Sequence, residues 1–160
     1  MQVINELSKT ISKELTSEAV VVAFNLTKSA SAFYPDYDTW FWGSVATDIA
    51  MTDERKIILE YSGLAAVGVS IIKNTQFEKK LCNLTVHPNY RNKGFGLKLF
   101  EKSFEELGTD KPFLTVSEEK YLEFERLFKH YGFRVTSIHD ALYRPGKVEY
   151  FLNEDVSKIV

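Results

Sequence analysis

The apolar positions of the chain repeat with two different periods, and the switches between them divide it into elements. Met1 to Leu7 alternates weakly between polar and apolar residues and predicts a short strand. Thr16 or Ser17, with Glu18 behind it, predicts a cap opening a helix to about Ser29, although the run Val20 to Val22 by itself favours extended chain. Pro35 and Asp36 then break the pattern, and Asp38 is placed to cap a helix carrying Trp40, Phe41, Val45 and Ile49 toward the core. Lys56 to Tyr61, Ser62-Gly63 and Leu64 to Ile72 read as a hairpin. Leu81 to Val86 is a further strand closed by His87-Pro88, and Gly94 to Leu107 a helix ended by Gly108. Pro112 to Val116 predicts a strand, and Ser117 caps a helix that stops at Gly132. Phe133 to Ile138 and Val148 to Leu152 predict two last strands, separated by Arg144-Pro145-Gly146.

This mixture of helix and strand predicts a mixed sheet with helices on both faces. No repeat, low-complexity tract or linker interrupts it, so residues 1–160 are expected to form one domain. At 44% hydrophobic and 26% charged residues the chain can bury a core without staples. The net charge of -2 gives no general attraction to nucleic acid or anionic membrane. Its one cysteine, Cys82, has no partner for an internal disulfide, and no Cys/His spacing suggests a metal. The apolar runs are too short to cross a bilayer, and a soluble, unprocessed protein of the cytoplasm is expected.

The stretch from Leu84 to Leu97 carries the chemistry. It contains a strand, a proline stop, a polar loop with two glycines and an amphipathic helix. The first amides of a helix have no intrahelical acceptor, and the aligned peptide dipoles add positive potential there. A diphosphate accepts several such bonds at once where no bulky side chain bars the backbone. Gly94 and Gly96 are read as removing that bar, and Arg91 and Lys93 as adding charge beside the phosphates. A P-loop would need Ser or Thr after Gly-Lys, and a dinucleotide fingerprint would need glycine at Leu99; neither is present.

Arg91, Asn92, Lys93, Gly94, Phe95 and Gly96, inside Leu-x-Val-x-Pro-x-Tyr-Arg-x-Lys-Gly-x-Gly, resemble the signature of the GNAT superfamily of N-acetyltransferases. Lys129-His130-Tyr131-Gly132-Phe133 is similar to its second landmark, and the likeness runs from about Lys56 to Leu152. The resemblance implies an α/β fold with a mixed, mostly antiparallel sheet of roughly six or seven strands, splayed at its central strand. It also implies acetyl transfer from acetyl-CoA directly to an amine, without a metal, in proteins that are often homodimers. The acceptor stays open between a small amine, a peptide or protein amine, and an aminoacyl group on RNA, which the acidic balance disfavours.

On the same resemblance, backbone groups at Leu84 and Val86 hold the pantetheine arm and amides from Arg91 to Leu97, including Asn92 and Phe95, hold the diphosphate. The helix beginning near Ser117 covers the arm, and the Val86 amide is the expected oxyanion donor. Where many members carry an acid tyrosine this chain has Phe128, placed with the cofactor residues; Tyr131 and Tyr121, at helical spacing from it, are the substitute catalytic candidates. Where some members carry a glutamate base on the strand before the splay this chain has Lys80, Cys82 and Asn83, so a base acting through water from Glu60, Glu78 or Glu125 stays open. Tyr34, Asp36 and Tyr37 are the expected acceptor contacts. His87 reads as a turn residue and Cys82 as a small core residue. Phe128 also keeps a second reading in play, a CoA-binding module that regulates or recognises a partner without chemistry.

Overall fold

A computed structural model describes residues 2–155. A long helix α1 (Gln2–Thr27) leads through a 3-10 turn, Lys28–Ala32, to a second helical segment. That segment comprises α2 (Tyr37–Trp40), a wider π turn at Phe41–Val45 and α3 (Ala46–Met51). Strands β1 (Arg55–Ser62), β2 (Ala65–Asn74) and β3 (Lys79–Val86) follow, then α4 (Phe95–Leu107), β4 (Leu114–Ser117), α5 (Glu118–His130), β5 (Val135–Asp140) and β6 (Val148–Leu152).

The start of the chain departs from the sequence reading. Gln2 to Leu7 is helix rather than strand, and Thr16 and Ser17 lie inside α1 instead of capping it; Met1 falls outside the described residues. No glycine or proline stops a helix before Pro35, and the face formed by Val20, Ala23 and Thr27, at helical spacing, is buried. That burial outweighs the strand preference of the valine run, whose middle member Val21 faces outward at 50% exposure. Asp38 likewise sits in the first turn of α2 and not at its cap.

The single sheet is also corrected. Among the described residues six strands form two antiparallel three-stranded sheets, β1-β2-β3 and β4-β6-β5. They meet at one parallel bridge between Lys80 and Phe113, where the Leu81 amide donates to the Phe113 carbonyl and the Phe113 amide to that of Lys79. Beyond it β3 and β4 part. Alternation along β2 drives the separate packing of its two faces: Val69 and Ile71 join Ala23, Tyr37, Phe41 and Val45, while Ile72 joins Phe100, Leu107, Phe128 and Leu152. Helices therefore cover both faces of the first sheet, as expected, with α1 on one side and α4 on the other.

Candidate active site

The gap between β3 and β4 is produced by one extra residue. Ile71 pairs with Asn83 but Ile72 pairs with Leu81, so Cys82 is inserted into β3 as a bulge. Backbone groups of a strand point alternately to its two sides. Before the bulge Leu81 addresses β4; after it His87 donates to Val67 on β2, so by alternation Leu84 and Val86 turn their amides and carbonyls to the unpaired edge. These are the two residues expected to hold an extended ligand arm.

Residues 91–94 are exposed, and α4 starts at their end with no side-chain cap and no acidic residue in its first turn. Asn92 (φ 61) and Gly94 (φ 89) are both left-handed, which turns the chain sharply into the helix. Arg91 is tethered to α5 through Glu123, Nε to Oε1 3.3 Å, and Lys93 lies over the Tyr90 ring. Phe95 and Leu97 belong to the first turn, whose amides no residue of the helix itself can accept. Gly96 sits where the helix start meets β3 and α5, and a Cβ there would lie in ordinary contact with Val86, Phe124 and Leu127 at 3.7 to 4.0 Å.

Two cavities lie along the splay. The first, a slot of about 60 Å³, runs between Leu81–Thr85 and Leu114–Val116 and is roofed from α5 by Lys120, Phe124 and Phe128. The second, about 470 Å³, is walled by Tyr34, Pro35, Tyr37, Trp40, Leu142 and Tyr143, with Asp36 and Lys80 as its charged lining residues. Tyr34, Cys82, Asn83 and Thr115 line both, so the cavities meet there.

The three expected acceptor contacts thus come together around the second cavity. Tyr37 serves as wall only: it is buried, its hydroxyl donates to Thr27 Oγ1 at 2.5 Å, and burial pushes its pKa up to about 12. Ser117 caps α5 as the sequence predicts, accepting from the Lys120 amide at 3.2 Å, but it is buried and lines neither cavity. Covering of the slot falls instead to the next turns of the helix.

The expected acids are not brought to the cleft. Tyr131 packs against Phe104 (ring centres 4.9 Å) with its hydroxyl buried and unpartnered, and burial raises its pKa. Tyr121 stacks on Tyr150 at 4.5 Å, and neither tyrosine lines a cavity. Glu60, Glu78 and Glu125 are paired elsewhere with Lys102, Lys73 and Lys129. His87 holds a turn, its Nδ1 accepting from the Asn89 amide, and the Cys82 Sγ accepts from Arg55 while burial pushes its thiol pKa up.

The sequence reading missed Glu149. It is 3% exposed on β6, and Tyr34 Oη donates to its carboxylate oxygens at 2.9 and 3.2 Å. No local signal exposes this pair, since 115 positions separate its members. Nearby, Arg144 grips both oxygens of Glu119 at 2.9 and 2.6 Å and holds that carboxyl down to about 2.

A strand opened by a bulge thus ends beside an uncapped helix start. The acetyltransferase (GNAT) domain model matches residues 13–142, and the chain belongs to that family. A GNAT-family protein from Desulfovibrio desulfuricans superposes with a TM-score of 0.67 at 17% identity, covering 84% of this chain and 90% of its own. The ribosomal-protein-S18-alanine N-acetyltransferase of Escherichia coli gives 0.57 at 18% identity, covering 67% and 72%. A Bacillus subtilis acetyltransferase in complex with CoA gives 0.53 at 17%, covering 69% and 82%. No curated protein matches the sequence.

Among the described residues no cluster of His, Cys, Asp and Glu is suited to a metal, and no helix is long and apolar enough to cross a membrane.

Proposed function

We propose that this chain is a one-domain N-acetyltransferase that uses acetyl-CoA as co-substrate and transfers the acetyl group directly to an amine entering through the larger cavity. The observation that carries the reading is the bulge at Cys82, which turns the main chain of Leu84 and Val86 toward an open edge ending beside the first turn of α4. Extended pantetheine takes the place of a neighbouring strand at such an edge, and the diphosphate fits the amides of Phe95 to Leu97 flanked by Arg91 and Lys93. The thioester supplies the activated carbonyl. The Val86 amide, on the open edge, is the donor for the oxyanion.

The amine arrives from a cavity whose walls are largely aromatic, with Asp36 as its carboxylate. That lining suits a primary amine borne on a compact apolar or aromatic group, whose cation Asp36 and the ring faces attract before it loses its proton. A small arylalkylamine and the N-terminus of a peptide both meet this description.

The apolar roof at Phe128, with Tyr121 and Tyr131 outside the cleft, favours the second reading, a CoA-binding module without turnover. Calorimetric titration with CoA and release of free thiol from acetyl-CoA, measured with tyramine, spermidine and an alanine-initiated peptide, separate the two. An acetyltransferase binds CoA and releases thiol faster with at least one amine; binding without acceleration by any amine establishes the module; no binding removes both.

A further inference from the structure

Resting on the acetyl-transfer reading, we propose that Tyr34 and Glu149 form a proton relay where the two cavities meet. Tyr34 takes the proton that the attacking amine must shed, as its own proton moves to the Glu149 carboxylate.

Four side chains line both cavities; Asn83 is engaged by Thr85, whose hydroxyl donates to its Oδ1, and no hydrogen bond of Thr115 to a carboxylate falls within the distance at which Tyr34 makes one. Cys82 is committed to Arg55. Tyr34 remains, and its hydroxyl is already directed at a carboxylate, donating to Oε2 at 2.9 Å and Oε1 at 3.2 Å. Glu149 is buried, and its carboxylate accepts from the Tyr34 hydroxyl. Arg144, whose charge reaches Glu149 and partly offsets its burial, donates both its arms to Glu119. A carboxylate taken out of water and short of a countercharge is a stronger proton acceptor than one in water. Burial accordingly raises the Glu149 pKa. It raises that of Tyr34 too, with the Glu149 charge adding to it, while a hydrogen bond with the Ser117 main chain pulls the other way. The other titratable groups around the pair are Tyr143, the Glu119–Arg144 pair, and His139 at the register position opposite Glu149 on β5. Glu149 also lies beyond residues 13–142, the stretch that the family model matches.

The step balances. The amine nitrogen bonds to the acetyl carbon, the carbon–sulfur bond breaks, and the nitrogen's proton reaches Tyr34 Oη while the Tyr34 proton moves to Glu149. Reversal of the relay delivers a proton to the departing sulfur, so amine and thioester become amide and thiol. Tyr34 is the group in contact with substrate, and Glu149 acts through it.

The experiment uses the full chain carrying Glu149→Gln, Tyr34→Phe or both, with acetyl-CoA and whichever of tyramine, spermidine or the alanine-initiated peptide the parent accepts. Each single change is expected to lower kcat by about 100-fold, with CoA affinity moving by less than about threefold. The double variant falls no further than the worse single one, because the two act as a unit. Parent kcat falls as the pH drops through the Glu149 pKa, at a pH above the ordinary carboxylate range of about 4.3, and Glu149→Gln abolishes that limb. In the protein without acetyl-CoA, carbon-13 NMR of the glutamate carboxyls shows Glu149 titrating above the rest, and its midpoint moves in Tyr34→Phe. Intact CoA binding and turnover with an unchanged pH limb in Glu149→Gln, or additive losses in the double variant, overturn the relay alone. Absence of CoA binding in the parent overturns the function on which it rests. Should Glu149→Gln fail to fold, the kcat and pH profile of Tyr34→Phe decide the matter.

Discussion

The two ends of the cleft are built by different means. At the end proposed for the cofactor the groups invoked are main-chain amides, from the edge of β3 to the first turn of α4, and they come from one continuous stretch of about a dozen residues. At the acceptor end they are side chains brought from four separate segments: Tyr34, Cys82 with Asn83, Thr115, and Glu149 behind them. A contiguous backbone device tolerates varied side chains and leaves a compact motif. An assembled side-chain device leaves no local pattern, and its parts depend on the register of both sheets.

The largest effect expected from this contrast concerns charge at the cofactor end. Arg91→Glu with Lys93→Glu should weaken CoA binding by about 30-fold or more, the loss shrinking at high salt, while the melting temperature falls only slightly, since the one ion pair lost, Arg91 with Glu123, is solvent-exposed. Calorimetry at low and high salt reads this directly, and unaltered affinity would detach the diphosphate from the loop. Gly96 makes a poorer probe, because a Cβ there already touches Val86, Phe124 and Leu127, so a large side chain confuses binding with folding.

A smaller effect tests the support of the acceptor end. Glu119 is held down to about 2 by Arg144, so this pair stabilises the fold above the ordinary carboxylate pKa and the stabilisation is lost as pH falls toward 2. Arg144→Ala should lower stability near neutral pH by ~1 kcal/mol, after allowance for solvent screening, and the difference from the parent should vanish under acid conditions. Urea melts across that range check the sign; a difference that grows toward low pH contradicts it.

The smallest effect separates cleft from core. Tyr131→Phe removes a buried hydroxyl that makes no hydrogen bond, so stability should stay level or rise by up to ~1 kcal/mol, and thiol release should be unchanged. A large fall in turnover at equal CoA affinity would return Tyr131 to the chemistry.

What could be read from the chain follows the same division. The Ser117 cap, the Gly108 stop and the hairpin between β1 and β2 depend on neighbours a few residues away, and each is found where the pattern puts it. Gln2 to Leu7 is helix where a strand is expected, because weak alternation carries no information about a pairing partner and these residues continue the same helix as Val20 to Thr27. Two sheets in place of one follow from a single inserted residue, which composition and periodicity cannot reveal. Glu149 looks like any glutamate in a short last strand until β6 lies between β4 and β5 and Tyr34 is folded over it.

The extra residue in β3 has a consequence for how this protein can change. It works as a gear shift: the same ribbon meets β4 in one phase and presents its ligand-facing amides in the other. Deleting Cys82, even with every other residue retained, would mesh the whole ribbon in one phase and turn either its grip on β4 or its open amides the wrong way. Substitutions along this ribbon are therefore far easier to absorb than a change in its length.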